Sequence, residues 1–185
     1  MPDEAPTGSS LQPGPWPRAV ADGVVPAADA PPFRSVGFTI STTGYAIARR
    51  FAELLAPLGL EPRDFALMRS VASAEGISQH ALSKQMRVAP SRMVAFLDAL
   101  EQRELIERRQ NPDDRRARAL HLTDAGRETL QRAFAVAVQH EQELSAELSG
   151  DERARLLELL SRVGVQVGVP RGVHPGMGHS AMADE

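Results

Sequence analysis

GISQHALSKQM (Gly76–Met86), RVAPSRMVAFLDALEQRELIERR (Arg87–Arg109) and QNPDDRRARALHLT (Gln110–Thr123) run on without a break, and their reading decides the fold. Ser78 stands where an N-cap is needed, with Ile77 and Leu82 placed to staple the start of a short helix. Pro90 falls in the first turn of a second helix, where its missing N–H costs nothing, and Val88 and Met93 form a second staple. Met93, Phe96, Leu97 and Leu100 mark that helix's inward face, which leaves Ser91, Arg92 and Ala95 outward near its N-terminal end. From Leu105 the period changes. Leu120 and Leu122 alternate with Ala119 and His121, and Ile106–Gln110 can pair with them antiparallel. Asn111-Pro112-Asp113-Asp114 is turn chemistry, so Arg115, Arg116 and Arg118 sit on or beside a hairpin tip. A helix-turn-helix followed by a basic ribbon suits duplex DNA: one helix enters the major groove and the ribbon reaches the backbone or the minor groove.

Outward from this unit the chain is helical. Tyr45, Ala48, Phe51, Ala52, Leu55 and Leu58 recur at three- and four-residue steps within a helix over about 36–58, which Gly59 stops. Glu61–Ala74 repeats the pattern through Phe65, Met68, Val71 and Ala72. Thr123 caps a long helix carrying Leu130, Phe134, Ala137, Val138, Leu144 and Leu148. Ser149-Gly-Asp-Glu152 is a capping box for a last helix through Leu156, Leu157, Leu160, Val163 and Val167. One winged-helix lobe cannot cover these terminal helices, so the simplest burial is a homodimer built from the first, fifth and sixth helices. The fold class is therefore mainly α: a winged helix-turn-helix with a small β-wing, plus N- and C-terminal helices forming a homodimerisation domain. The boundaries are a disordered Pro-rich arm over 1–34, a dimerisation helix over 35–60, the winged helix-turn-helix over 61–122, dimerisation helices over 123–167 and a flexible tail over 168–185. The arm holds eight prolines and the only tryptophan, Trp16.

The formal charge of −3 argues against a general polycationic DNA coat. Between Lys84 and Arg118, however, nine basic side chains face six acidic ones, a local basic face on an acidic protein. There is no cysteine, which excludes disulfides, zinc-thiolate sites and thiol redox sensing. No stretch is long and apolar enough to span a membrane and no signal pattern opens the chain, so a cytoplasmic protein is expected. His174 and His179, five apart in the tail, do not make a metal site, and no cofactor motif is present. An enzyme is not expected: the chain has no Gly-rich phosphate loop, no His-Glu-x-x-His and no Gly-x-Ser-x-Gly.

The order and spacing of these pieces from about 36 to 165 resemble the MarR family of winged-helix regulators. The matching residues are Phe65-Ala-Leu-Met-Arg69, Gly76-Ile-Ser-Gln79 with Ala81-Leu-Ser83, Val88-Ala-Pro-Ser-Arg-Met93, Leu97-Asp-Ala-Leu-Glu101 and Ile106-Glu-Arg108. The wing adds Pro112-Asp-Asp-Arg-Arg116 with Leu120-His-Leu-Thr123 and Gly126. The resemblance implies a homodimer on a pseudo-palindromic double-stranded DNA operator, usually as a repressor. By position, Arg115 would enter the minor groove, and Arg116 and Asp114 would shape the wing or hold the backbone. Ser91 and Arg92 would begin the recognition helix, and Ser78, Gln79 and Lys84 would meet phosphates. Arg103 is read instead as a surface helix ion-pair residue, while Arg108 and Arg109 could equally meet DNA or pair with Glu104, Glu107 or Asp98.

The resemblance also implies a small aromatic or phenolic acid as effector, and Tyr45, Arg49, Phe65, Met68 and Arg69 could line its crevice. The plainer reading of the same five is core for Tyr45, Phe65 and Met68 and surface for the arginines. Glu104 departs from the family, which usually has glycine after the recognition helix; the expectation is a strained or rearranged turn. The N-terminal arm is also longer than the family requires. The rival class is a winged-helix protein-interaction module without specific DNA binding.

Overall fold

The computed structural model describes residues 35–110 and 118–169. Asp114, Arg115 and Arg116, Trp16 and the arm, and the tail histidines lie outside the described residues. The elements in chain order are α1 (Val36–Leu55) with a single 3-10 turn after it (Ala56–Leu58), α2 (Pro62–Ser73), α3 (Gln79–Met86) and α4 (Pro90–Gln102). Then come β1 (Ile106–Gln110), β2 (Arg118–Leu122), α5 (Asp124–Leu144) and α6 (Gly150–Gln166). The fold is mainly helical with one two-stranded antiparallel sheet, as the sequence implied. The chain divides into two units, Met1–Gly44 and Tyr45–Glu185, so α1 begins in one and ends in the other. Within the first, Val36 and Phe38 are exposed. The helix-turn-helix, both strands and the C-terminal helices all belong to the second.

The helix starts are local chemistry. Ser78 Oγ accepts from the Ala81 N–H at 3.1 Å, and Thr123 Oγ1 from the Gly126 N–H at 2.9 Å. Ser149 and Glu152 close a capping box at α6, and the Glu61 and Asp64 carboxylates close one at α2. Burial supplies the rest. Leu55, Leu67, Met68, Val71, Leu82, Met93, Leu97, Leu100, Ile106, Leu120 and Leu122 are fully buried in one cluster. Each is worth about 2 kcal/mol, and this packing holds α3, eight residues long and too short to stand alone.

The two strands pair in register from Ile106 with Leu122 to Gln110 with Arg118. The link between α2 and α3 adds a third edge. Gly76 N–H donates to the Leu120 carbonyl at 2.9 Å, Leu120 N–H donates to the Ile77 carbonyl at 3.0 Å, and Ser78 bridges Ala119. The wing base is thereby welded to the start of the helix-turn-helix.

Three helical segments end alike, on a residue in the left-handed region with the next N–H reaching back five residues. The residues are Gly59 (φ 67°), Arg87 (φ 53°) and Glu104 (φ 55°). The bonds are Leu60 N–H to the Leu55 carbonyl, Val88 N–H to Ser83 and Leu105 N–H to Leu100. The turn at Glu104 is therefore kept rather than rearranged, and the strain is carried by the side-chain-bearing residue. Thr123 Oγ1 steadies it by donating to the Glu104 carbonyl at 2.5 Å. Glu104→Gly should stabilise the fold by about 1 kcal/mol, read as a higher midpoint in urea. An unchanged or lower midpoint would show that the turn is unstrained.

Candidate nucleic-acid interface

α4 is buried along one face by Met93, Leu97 and Leu100, while Ser91 and Arg92 in its first turn are exposed. That end of α4 presents polar side chains to solvent, where a base edge can be met. α3 crosses before it. Lys84 is exposed on α3, Gln79 is its half-buried first residue, and Ser78 is committed to the cap. Ser78, Gln79 and Lys84 thus lie at the cap and along α3, and Ser91 and Arg92 in the first turn of α4. Of the wing cations, Arg118 is exposed at the start of β2, next to the segment that holds the other candidates.

Three other arginines of the region are engaged within the fold. Arg103 donates to Asp64 at 3.1 Å and to the Gly59 carbonyl at 2.6 Å, which ties the end of α4 to the start of α2. Arg108 has a 12% exposed side chain and forks onto two acids of α4: Asp98 Oδ1 at 2.6 Å and Glu101. Its own N–H also reaches Glu101 Oε1 at 3.3 Å. Arg109 pairs along its strand with Glu107 at 2.5 Å. Arg103 and Arg108 thus tie α4 to α2 and to β1, while Arg109 pairs within β1. Asp98 is among the partners the sequence offers Arg108, whereas Glu101 follows from the packing of β1 on α4.

The effector candidates fall differently. Met68 is fully buried and Phe65 is 7% exposed. Phe65 is set edge-on to Phe51 and Phe134, at centroid distances of 5.8 and 5.2 Å. Both are core, as the plainer reading of these residues has it. Tyr45, by contrast, is exposed rather than core. Arg49, one turn away on α1, donates to Glu53 at 2.9 Å, and Arg69 is exposed on α2.

A crevice of about 420 Å3 lies elsewhere, between α2, β2 and α5. It is lined by Ala72, Glu75, Leu122, Arg127, Leu130, Gln131 and Phe134. At its rim Glu75 pairs with Arg127 and stands 3.8 Å from His121 Nδ1. The Arg127 hydrogen bond above all holds the Glu75 carboxyl below the usual carboxylate range. Glu75 and Arg127 are 52 residues apart, so only the fold reveals the site. The described residues contain no group of His, Asp and Glu able to hold a metal ion, and no helix long and apolar enough to cross a membrane.

Residues 60–117 match the model of the MarR family. A Thauera aromatica protein named "Putative transcriptional regulatory protein for hcr operon" is 34% identical over 129 residues, covering 69% of this chain and 78% of that protein. The chain belongs to the MarR family. It is a transcriptional regulator and not an enzyme. Solved MarR-family structures carry the same architecture. The transcriptional repressor CouR bound to a 23-mer DNA duplex superposes with a TM-score of 0.64 at 33% identity, covering 70% of this chain and 92% of that one. A mutant MarR from E. coli complexed with operator DNA gives a TM-score of 0.62 at 29% identity, covering 69% and 92%. CouR has also been solved bound to p-coumaroyl-CoA, with a TM-score of 0.61 at 30% identity, covering 70% and 91%.

Proposed function

We propose that this MarR-family regulator is a repressor that binds a pseudo-palindromic operator as a homodimer and is released by a small aromatic acid. The observation that carries the DNA reading is the first turn of α4: Ser91 and Arg92 stand outward on a helix whose opposite face is fully buried. Ser91 and Arg92 then read the major groove, with Ser78, Gln79 and Lys84 on phosphates. Arg115 in the minor groove, flanked by Arg116 and Asp114, completes the contact on this reading. CouR and the E. coli MarR protein, both solved on DNA, support the assignment by likeness.

The dimer is supported by α6, which buries none of its side chains. Leu156, Leu157, Leu160 and Val165 are 41–61% exposed there, beside Val138 and Leu144 of α5. An apolar surface of that extent is covered most simply by its own copy. Two-fold symmetry then sets two recognition helices ~34–36 Å apart, one turn of the duplex. The crevice at Glu75 and Arg127 offers an apolar wall with a cation at its rim, which an aromatic carboxylate would meet by displacing the Glu75 carboxylate from Arg127.

Mobility shift and footprinting on the DNA flanking the protein's own gene, with a panel of phenolic acids, test the whole reading. A shift at low salt that the acids reverse is expected. No shift at low salt would leave the protein-interaction module as the better account. Arg115→Ala should weaken operator binding by about tenfold or more while gel filtration still shows a dimer. Wild-type affinity in that variant would refute the wing assignment.

A further inference from the structure

We infer that Arg87, in the turn between α3 and α4, is a phosphate-binding residue of the interface, held at a strained backbone position for the sake of its guanidinium. The inference rests on the DNA-binding reading above. Three observations carry it. Arg87 occupies the left-handed region at φ 53°, where glycine is at home and a residue bearing a Cβ is strained. Its side chain is exposed and makes no ion pair or hydrogen bond with a described residue, so nothing inside the fold rewards an arginine there. And the charge around it has one sign. From Ile77 to Leu97 the chain contains no Asp or Glu, although it holds 24 acids in all, and the cations of that stretch are Lys84, Arg87 and Arg92.

The turn is also built to hold still. Met86 before it and Val88 after it are 6% and 4% exposed. Ser83 Oγ donates to the Val88 carbonyl at 2.6 Å, and the Val88 N–H reaches the Ser83 carbonyl at 3.1 Å. The Arg87 Cα is thus pinned on both sides, and the guanidinium hangs from a fixed point between Lys84 and the first turn of α4. A cation presented this way loses less freedom on meeting a phosphate than one on a mobile loop.

Glu104 provides the comparison inside the same molecule. It ends α4 in the same motif, with φ 55°, and is also exposed, but it carries the opposite charge and serves the turn into the wing. If only the turn mattered, glycine should act alike at both positions. If the Arg87 guanidinium binds phosphate, the two must part.

The experiment compares wild type, Arg87→Gly, Arg87→Lys and Glu104→Gly by thermal melting and by operator binding across a salt series. Arg87→Gly should melt higher than wild type yet bind about tenfold more weakly, as for one lost charge-assisted contact. Its plot of log affinity against log salt should be shallower by about 0.9 per subunit. Arg87→Lys should recover most of that slope, because it keeps the charge. Glu104→Gly should melt higher with its affinity unchanged. Wild-type affinity and slope in Arg87→Gly would overturn the inference, as would an equal loss in Glu104→Gly. Failure of the wild type to bind DNA at low salt would instead overturn the DNA-binding reading on which it stands.

Discussion

Gly126→Ala should destabilise the fold by about 3 kcal/mol and lower its melting temperature by about 10 °C. Gly126 lies in the first turn of α5, and a Cβ built there falls 1.9 Å from the Leu105 carbonyl oxygen and 2.9 Å from its carbon. Both obstacles are backbone, so no side-chain rotation relieves them. The helix cannot simply slide away either. Thr123 N–H donates to that same Leu105 carbonyl at 3.2 Å, and Thr123 Oγ1 holds both the Glu104 carbonyl and the Gly126 N–H. Moving α5 to admit a methyl group would break the cap, the turn after α4 and the entry to β1 together. Gly150 is the control: it opens α6 with nothing within 4 Å of its Cβ position, and Gly150→Ala should be neutral or stabilising by about 0.5 kcal/mol. A Gly126→Ala protein that melts within a degree of wild type would show that the close approach does not exist in solution.

Arg108→Ala should cost about 2 kcal/mol and also impair DNA binding. The cost arises from the groups left behind: Asp98 and Glu101, three apart on α4, would face one another without the cation that now joins them. It is kept below that of a fully buried pair because the two acids are 48% and 40% exposed. The functional effect comes from position, since Arg108 stands on β1 opposite Leu120 and ties the wing base to the recognition helix. Footprints of this variant should lose protection at the minor-groove positions assigned to the wing while the major-groove positions assigned to α4 remain. Arg108→Lys should fall between, keeping the charge but losing the fork. Full stability together with a complete footprint would show that the fork is dispensable and that other contacts orient the wing.

Much of the fold is legible in the chain alone. The N-caps at Ser78, Thr123 and Ser149, the helix start at Pro90 and the change of period after Leu105 are all within reach. Each depends on residues no more than a few positions apart, so the pattern and the contact coincide. The left-handed turn at Glu104 is expected to be strained, and the structure shows the strain accepted rather than avoided. The same turn at Arg87 gives no signal, because an arginine after a short helix looks like any surface cation until its φ is known. Phe65 and Met68 fit a ligand wall and a core equally well by type; only packing, with Phe65 set against Phe51 and Phe134, assigns them to the core.

The sequence by itself determined the order of elements and the caps at Ser78, Thr123 and Ser149, because period, capping and turn chemistry act over a few residues. Only the tertiary structure decided the choice among equivalent partners: Arg103 for Asp64, Arg108 for Asp98 and Glu101, Arg127 for Glu75, and the absence of a side chain at Gly126 for the Leu105 carbonyl. Each charge had several possible counterparts in the chain, and the meeting of distant segments in one core selected among them.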